Sequence, residues 1–161
     1  MNPSPPRTAA AADMARFDKS DGAASRQFGP VILALLEEMH NNASPDEARG
    51  LLLAMGARIA GQLPLGDADT IDAIGVEINR GWEMMDWGLV VLGVDKDGIT
   101  ISHHGHPPAI ASDRHELWPK AWVTLLEGAY DAWFRNLGGS ERLRTTLLSH
   151  IDDRIELRYG Y

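Results

Sequence analysis

Apolar residues recur with helical spacing early in the chain. Between Phe28 and Met39 they fall three and four positions apart, with charged residues outside the apolar face, which predicts a first helix. The segment "SPDE" then supplies Ser44 as a cap, Pro45 at the first helical position and Glu47 three residues after the cap. This arrangement is the signature of a helix start. It predicts a second helix directly after the first.

The second helix has two faces of different size. Large residues form one stripe: Ala48, Leu52, Met55, Ile59 and Leu63. Small residues form another on the opposite side: Gly50, Ala54, Ala57 and Gly61. Small side chains let a neighbouring backbone approach closely, so we interpret this second stripe as an interface between copies of the chain. The alternative is a helix that is simply weakened by its glycines.

Two further stretches have helical periodicity. The third helix is marked by Ile71, Ile74, Ile78, Trp82 and Met85, and it should end near Asp86. The fourth occupies residues 116–139, where the apolar arc leaves only a narrow polar strip. An arc wider than about 100° needs more cover than a small core provides. We therefore predict that Trp122, Tyr130 and Trp133 belong to an oligomer interface or to the core.

Alternation with a period of two predicts strands elsewhere. "GLVVLGV" and "GITISHH" flank "DKDG", which favours a tight hairpin. "LRTTLLSHIDDRIELRYGY" predicts a second hairpin turning at Asp152 and Asp153, although residues 142–149 also fit a helix. The predicted fold class is α+β, with four main helices packed on a small antiparallel sheet of two hairpins. Residues 1–27 form a predicted disordered Pro/Ala-rich tail, and residues 28–161 a single domain.

Composition excludes several kinds of partner and chemistry. The net charge of −8 argues against nucleic-acid binding, which depends on clustered Lys and Arg. The chain has no cysteine, so disulfides and thiolate ligands are excluded. Neither a secretory signal nor an apolar run of about eighteen residues is recognisable, which predicts a cytoplasmic protein.

The most chemical segment is "HHGH" at residues 103–106. In an extended strand His104 and His106 share a face while His103 points the other way, so a zinc site would need Asp113 or His115 as further ligands. We expect no metal and no cofactor here. The sequence also lacks a nucleophile elbow, phosphate loop or dinucleotide fingerprint, so we expect no enzymatic activity. The open alternative is a small metal- or ligand-binding enzyme that uses the cluster from His103 to His106.

The order and spacing of four segments are informative together: "RGLLLAMGARIAGQLPL", "INRGWEMMDWGLVVLGV", "WVTLLEGAYDAWF" and "IELRYGY". Together they resemble the small D subunit of bacterial cellulose synthase complexes. The resemblance implies a non-catalytic α+β accessory protein of the cellulose synthase complex, assembled from dimers into a ring-like homo-octamer. It also implies a scaffold or guide for ordered export and crystallisation of β-1,4-glucan, and a proline-rich scaffold partner.

The resemblance does not extend to the tail. Residues 1–27 do not match the family's N-terminal segment, which is implicated in lining the glucan passage, so no glucan-contact residue is carried over. The family has been described as periplasmic. Because no signal is recognisable here, the sequence instead favours the cytoplasm, at most peripheral to the inner membrane.

Overall fold

The architecture consists of four helices and one four-stranded sheet. A computed structural model describes residues 23–105, 109–110 and 112–161, with side chains described from residue 28 onward. The elements in chain order are α1 Ala23–Asn42, α2 Pro45–Gln62, α3 Ile71–Met85, β1 Leu89–Asp95, β2 Gly98–His104, α4 Leu117–Asn136, β3 Arg144–Ile151 and β4 Arg154–Gly160. The predicted α+β class is confirmed.

Helix boundaries follow the local sequence signals. Ser44 and Glu47 form the predicted capping box at the start of α2, and α3 ends before Asp86, which adopts a left-handed conformation. The first helix begins at Ala23, five residues before the predicted start at Phe28. Alanine, arginine and glutamine in this added stretch are good helix formers. The remainder of the predicted tail, residues 1–22, lies outside the described residues.

The sheet consists of the two predicted hairpins joined side by side. All neighbouring strands are antiparallel, in the order β1-β2-β4-β3. Gly98 follows the first turn with φ 136°, and Asp152 has φ 52° in the second turn. Residues 144–151 form a strand, which decides against the helical alternative for residues 142–149. A register shift between Leu147 and Ser149 interrupts the β3–β4 ladder.

Helix α4 lies at the centre of the domain. One side packs on α2, with α1 beside it, and another packs on the inner face of the sheet through β3 and β4. This double cover explains the wide apolar arc, because more than half of the helix is buried. The largest fully buried side chains come from α3, α4, β2 and β4: Trp82, Trp122, Trp133, Tyr130, Ile78, Ile101, Leu126, Ile155, Leu157 and His103.

Helices α2 and α4 approach each other through two glycines. A Cβ atom on Gly56 would lie 2.0 Å from the carbonyl oxygen of Leu125, and one on Gly128 would lie 2.2 Å from that of Leu53. Both distances are far below van der Waals contact. The two backbones are therefore in contact at a separation that only glycine allows.

Candidate functional site

The histidine segment divides between the two faces of the sheet, as strand alternation predicts. His103 is fully buried on the inner face, next to Ile101 in the same alternation, whereas His104 is partly exposed on the outer face. His106 lies outside the described residues. Within the described part of the chain, no group of three or more His, Asp or Glu side chains is arranged to hold a metal ion.

His103 belongs to a buried hydrogen-bond network. Its Nε2 lies 2.8 Å from the Trp87 carbonyl oxygen, which only accepts, so Nε2 carries the proton. Trp82 Nε1 donates to the Tyr130 hydroxyl at 3.1 Å. The hydroxyl in turn donates to Nδ1 of His103 at 2.8 Å. Burial raises the pKa of the Tyr130 hydroxyl well above its ordinary value, so this group remains a donor.

This network argues against the alternative in which His103 takes part in a metal-binding or catalytic cluster. Both ring nitrogens already have partners inside the core. A metal ion at either nitrogen would displace the Tyr130 hydroxyl or the Trp87 carbonyl and leave a buried polar group unpaired. The role of His103 is to satisfy polar groups among the core aromatic rings.

The two other proposed zinc ligands lie at the start of α4. Asp113 accepts hydrogen bonds from the backbone N–H groups of Leu117 at 3.0 Å and Trp118 at 2.7 Å. Burial by itself raises the pKa of Asp113, but these bonds and a third from His115 outweigh it and bring the pKa below its ordinary value. Asp113 therefore caps the first turn of α4 from outside the helix, since the N-cap residue Glu116 makes no capping bond with its side chain. The His115 ring stacks on that of His40, with centroids 6.4 Å apart.

The aromatic residues predicted at an oligomer interface lie in the core of the single chain. Trp122, Tyr130 and Trp133 are each at most 2% exposed. Trp133 Nε1 also donates to the Leu63 carbonyl at 2.9 Å. These side chains present no surface to a second copy, so the core alternative is correct for them. Sequence periodicity identified a wide buried arc, but it could not distinguish cover by another copy from cover by the chain's own sheet.

The small residues of α2 lie on its outer side. Gly50, Ala54 and Gly61 are exposed and Ala57 is partly exposed. A Cβ atom added at Gly50 or Gly61 would meet nothing within 4 Å. The close backbone approach that we predicted for this stripe is made instead at Gly56, on the inner side. As an interface between copies the stripe stays a prediction.

An apolar stripe on α1 is open to solvent. Phe28, Val31 and Leu35 are 60%, 57% and 60% exposed, and they follow one another at helical spacing. Leu33 and Leu36 form the buried side of the same helix. The sequence pattern groups Phe28, Val31 and Leu35 with Leu36 on one apolar face, whereas in the structure only Leu36 of these is buried. Half-exposed residues on α2, Leu51 and Met55, add to the uncovered apolar surface.

A groove opens between α2, the first half of α4 and β3. Its volume is about 570 Å³, and its lining includes Arg49, Lys120, Thr124, Glu127 and His150. Arg49 Nη1 lies 2.8 Å from Oε2 of the buried Glu127. A second groove of about 330 Å³ shares the side chains of Arg49, Lys120 and Thr124, and it extends toward α1. In both grooves α4 contributes the polar side chains of Lys120 and Thr124.

The fold and these surfaces define an α+β protein whose aromatic core is buried within the single chain and whose helices have uncovered apolar faces. The family model for the D subunit of cellulose synthase matches residues 14–160. The chain therefore belongs to the family of cellulose synthase D subunits. Membership supports a role in cellulose synthesis and association with the cellulose synthase complex. No curated protein is similar enough in sequence to count as a match. None of the described helices has the length and apolarity needed to cross a membrane.

Proposed function

We propose that this chain is a non-catalytic scaffold protein that promotes ordered export or crystallisation of β-1,4-glucan by assembling with copies of itself. The observation that supports it most directly is the stripe Phe28, Val31 and Leu35 on α1. Covering a half-exposed aliphatic or aromatic side chain contributes roughly 1 to 2 kcal/mol. Three such side chains on each copy supply a substantial driving force for association. A single chain leaves that driving force unused.

The assembly in this proposal is a closed homo-octamer built from dimers. The stripe supports association, and the number eight comes from the family resemblance. Closed symmetry buries the same patch on every copy and leaves no apolar edge. The α1 stripe, together with Leu51 and Met55 on α2, supplies the apolar contact, while the small residues Gly50, Ala54, Ala57 and Gly61 supply a flat surface beside it.

The scaffold role also fits the state of the tryptophans. Trp82, Trp122 and Trp133 are buried, and Trp87 and Trp118 are half-buried against them. Stacking on sugar rings needs an open aromatic face, so glucan recognition by these rings is not supported. We therefore propose that the chain acts through its assembly, with the cellulose synthase complex and a proline-rich protein as partners, on the cytoplasmic side of the inner membrane.

Charge substitutions on α1 test the assembly. Val31→Lys and Leu35→Lys should shift the protein to smaller species, because each places an ammonium group in the apolar contact. Val76→Lys on α3 is the matched control, since Val76 is an equally exposed valine at 59%. Gel filtration with light scattering gives the mass, and circular dichroism checks folding. A wild-type monomer at micromolar concentration would overturn the scaffold proposal, and unchanged mass in the α1 variants would overturn the role of this stripe.

The link to cellulose is tested in cells. In a host whose own copy is deleted, wild type and Val76→Lys should restore crystalline cellulose, as measured by X-ray diffraction of the washed polymer. Val31→Lys should restore it poorly, while glucan synthesis by isolated membranes stays unchanged. Equal loss of synthesis and crystallinity would indicate a role in catalysis and contradict the proposal.

A further inference from the structure

The free edges of the sheet are where this fold is open to unwanted pairing. Strands β1 and β3 are the two edge strands. An edge strand has outward N–H and C=O groups, which form a template for a strand from another molecule.

Two backbone N–H groups on the edge of β3 are bonded to carboxylates of α4. Glu127 Oε1 accepts a hydrogen bond from the backbone N–H of Leu147 at 3.0 Å, and Asp131 Oδ1 accepts one from that of Thr145. The spacing fits both elements. Residues four apart on a helix are separated by about 6 Å, and residues two apart on a strand by about 6.6 Å. Two carboxylates on α4 thus replace the acceptors that a fifth strand would offer.

Both carboxylates are held in place by arginines. The Glu127 side chain is only 5% exposed, and its Oε2 lies 2.8 Å from Arg49 Nη1 on α2. Asp131 pairs with Arg135 at 3.2 Å, one helical turn further along α4. Burying a carboxylate beside an apolar core is costly unless it is paired. The Glu127 carboxylate thus has a partner for each oxygen, the N–H of Leu147 for Oε1 and the Arg49 guanidinium for Oε2.

The other edge is capped at one residue, Val90, near the start of β1. Asn79 on α3 accepts from the backbone N–H of Val90 at 2.6 Å and donates to the Val90 carbonyl at 2.9 Å. The side-chain amide thus pairs with β1 as a neighbouring strand residue would. Polar side chains from a helix thus bond to the backbone of each edge strand: carboxylates of α4 at β3, and an amide of α3 at β1.

We propose that Glu127 and Asp131 protect the edge of β3 and so prevent this strand from pairing with β3 of a second copy. If these acceptors are removed, the N–H groups of Thr145 and Leu147 become available. The exposed side chains of Leu148 and Ile151 on the same strand then add apolar contact. This inference goes beyond the proposed function and does not depend on assembly through α1.

The test compares two double variants of the full chain. Glu127→Ala with Asp131→Ala removes both acceptors, whereas Glu127→Gln with Asp131→Asn keeps an amide oxygen at each position and is the matched control. In the alanine variant, amide exchange at Thr145 and Leu147 should be at least tenfold faster in dilute solution. At higher concentration it should slow again, together with growth in mass and an intermolecular β-sheet band in the infrared spectrum. The control loses the two ion pairs but should keep slow exchange at both amides and form no larger species.

A rescue separates edge pairing from general aggregation. Adding Ile151→Lys to the alanine variant places a charge on the opened edge and should abolish the larger species. The proposal is overturned if the folded alanine variant exchanges these amides faster yet shows no concentration-dependent species, or if Ile151→Lys leaves those species unchanged. If the double variant does not fold, the same measurements are made on Asp131→Ala alone, with amide exchange followed at Thr145, and the same results support or overturn the proposal. These infrared and exchange signals do not arise from helix contacts, so α1 assembly can fail without affecting the result.

Discussion

The contact between α2 and α4 leads to a sharp prediction about one methyl group. Gly56→Ala would place a Cβ atom 2.0 Å from the Leu125 carbonyl oxygen and 2.9 Å from the Ala129 nitrogen. Both obstacles are backbone atoms of a helix, so neither can rotate away. The two helices have to separate by more than about 1 Å, which loosens the packing of buried residues on both sides of the contact.

The expected magnitude is the difference of two effects. Overpacking in a core costs about 1 to 3 kcal/mol, and a clash with backbone belongs at the upper end of that range. Replacing glycine by alanine within a helix contributes about 1 kcal/mol of stability. Gly56→Ala should therefore lower the free energy of unfolding by about 2 kcal/mol. For a chain of this length that corresponds to a melting temperature lower by about 4 to 8 °C.

The same helix contains the matched control. Gly50 is exposed, and an added Cβ atom there would meet nothing within 4 Å. Gly50→Ala should keep only the helix term and raise stability by about 0.5 to 1 kcal/mol. Gly50 also belongs to the proposed surface between copies, and association shifts apparent stability. Urea denaturation followed by circular dichroism should therefore be run at one fixed protein concentration, after light scattering has shown that both variants have the same mass. Equal shifts of the same sign for both variants would refute the close-contact reasoning, and Gly128→Ala repeats the test from the α4 side.

Three further predictions concern the histidines and the α4 cap. His103→Ala should cost about 2 to 4 kcal/mol in denaturation experiments, since it leaves a cavity and unpairs the Tyr130 hydroxyl, whereas His104→Ala should change stability by less than about 0.5 kcal/mol. Asp113→Ala should cost about 1 kcal/mol at neutral pH. Because the folded-state pKa of Asp113 is lowered, its contribution is full above the ordinary carboxyl pKa and declines as pH falls through the lowered value, so the variant's deficit should shrink below about pH 4 in acid titrations. Elemental analysis of tag-free protein should find no stoichiometric zinc, and one zinc per chain that is lost in His104→Ala with His106→Ala would contradict our interpretation.

Local patterns were sufficient for the elements of this fold. The capping box at Ser44 and the alternation of Ile101 and His103 each depend on neighbours a few residues away, and the structure confirms both. The fourth helix was also predicted correctly as a segment. What covers its apolar arc was not, because helical periodicity states how much of a helix is buried and says nothing about the chain that buries it.

The glycine contact between α2 and α4 could not be predicted from the sequence, for a different reason. Gly56 lies among several small residues on α2, and its role depends on the backbone of Leu125 and Ala129 on α4, far away in the sequence. The sequence signal was the regular spacing of Gly50, Ala54, Ala57 and Gly61, which pointed to the outer side of the helix. Only the inner glycine meets a partner backbone, and that distinction needs the position of α4. Likewise Asp131 and Glu127 are ordinary members of a polar strip until β3 lies beside them.

The uncovered apolar surface of this chain lies on α1 and not, as the sequence suggested, on α4. Helix α4 was expected to need a second copy because so much of it is apolar, yet α2 and the sheet already enclose it. Helix α1 is packed by Leu33 and Leu36 on one side only, and nothing in the described residues covers Phe28, Val31 and Leu35 on the other. If copies of this chain associate, the contact should therefore involve α1.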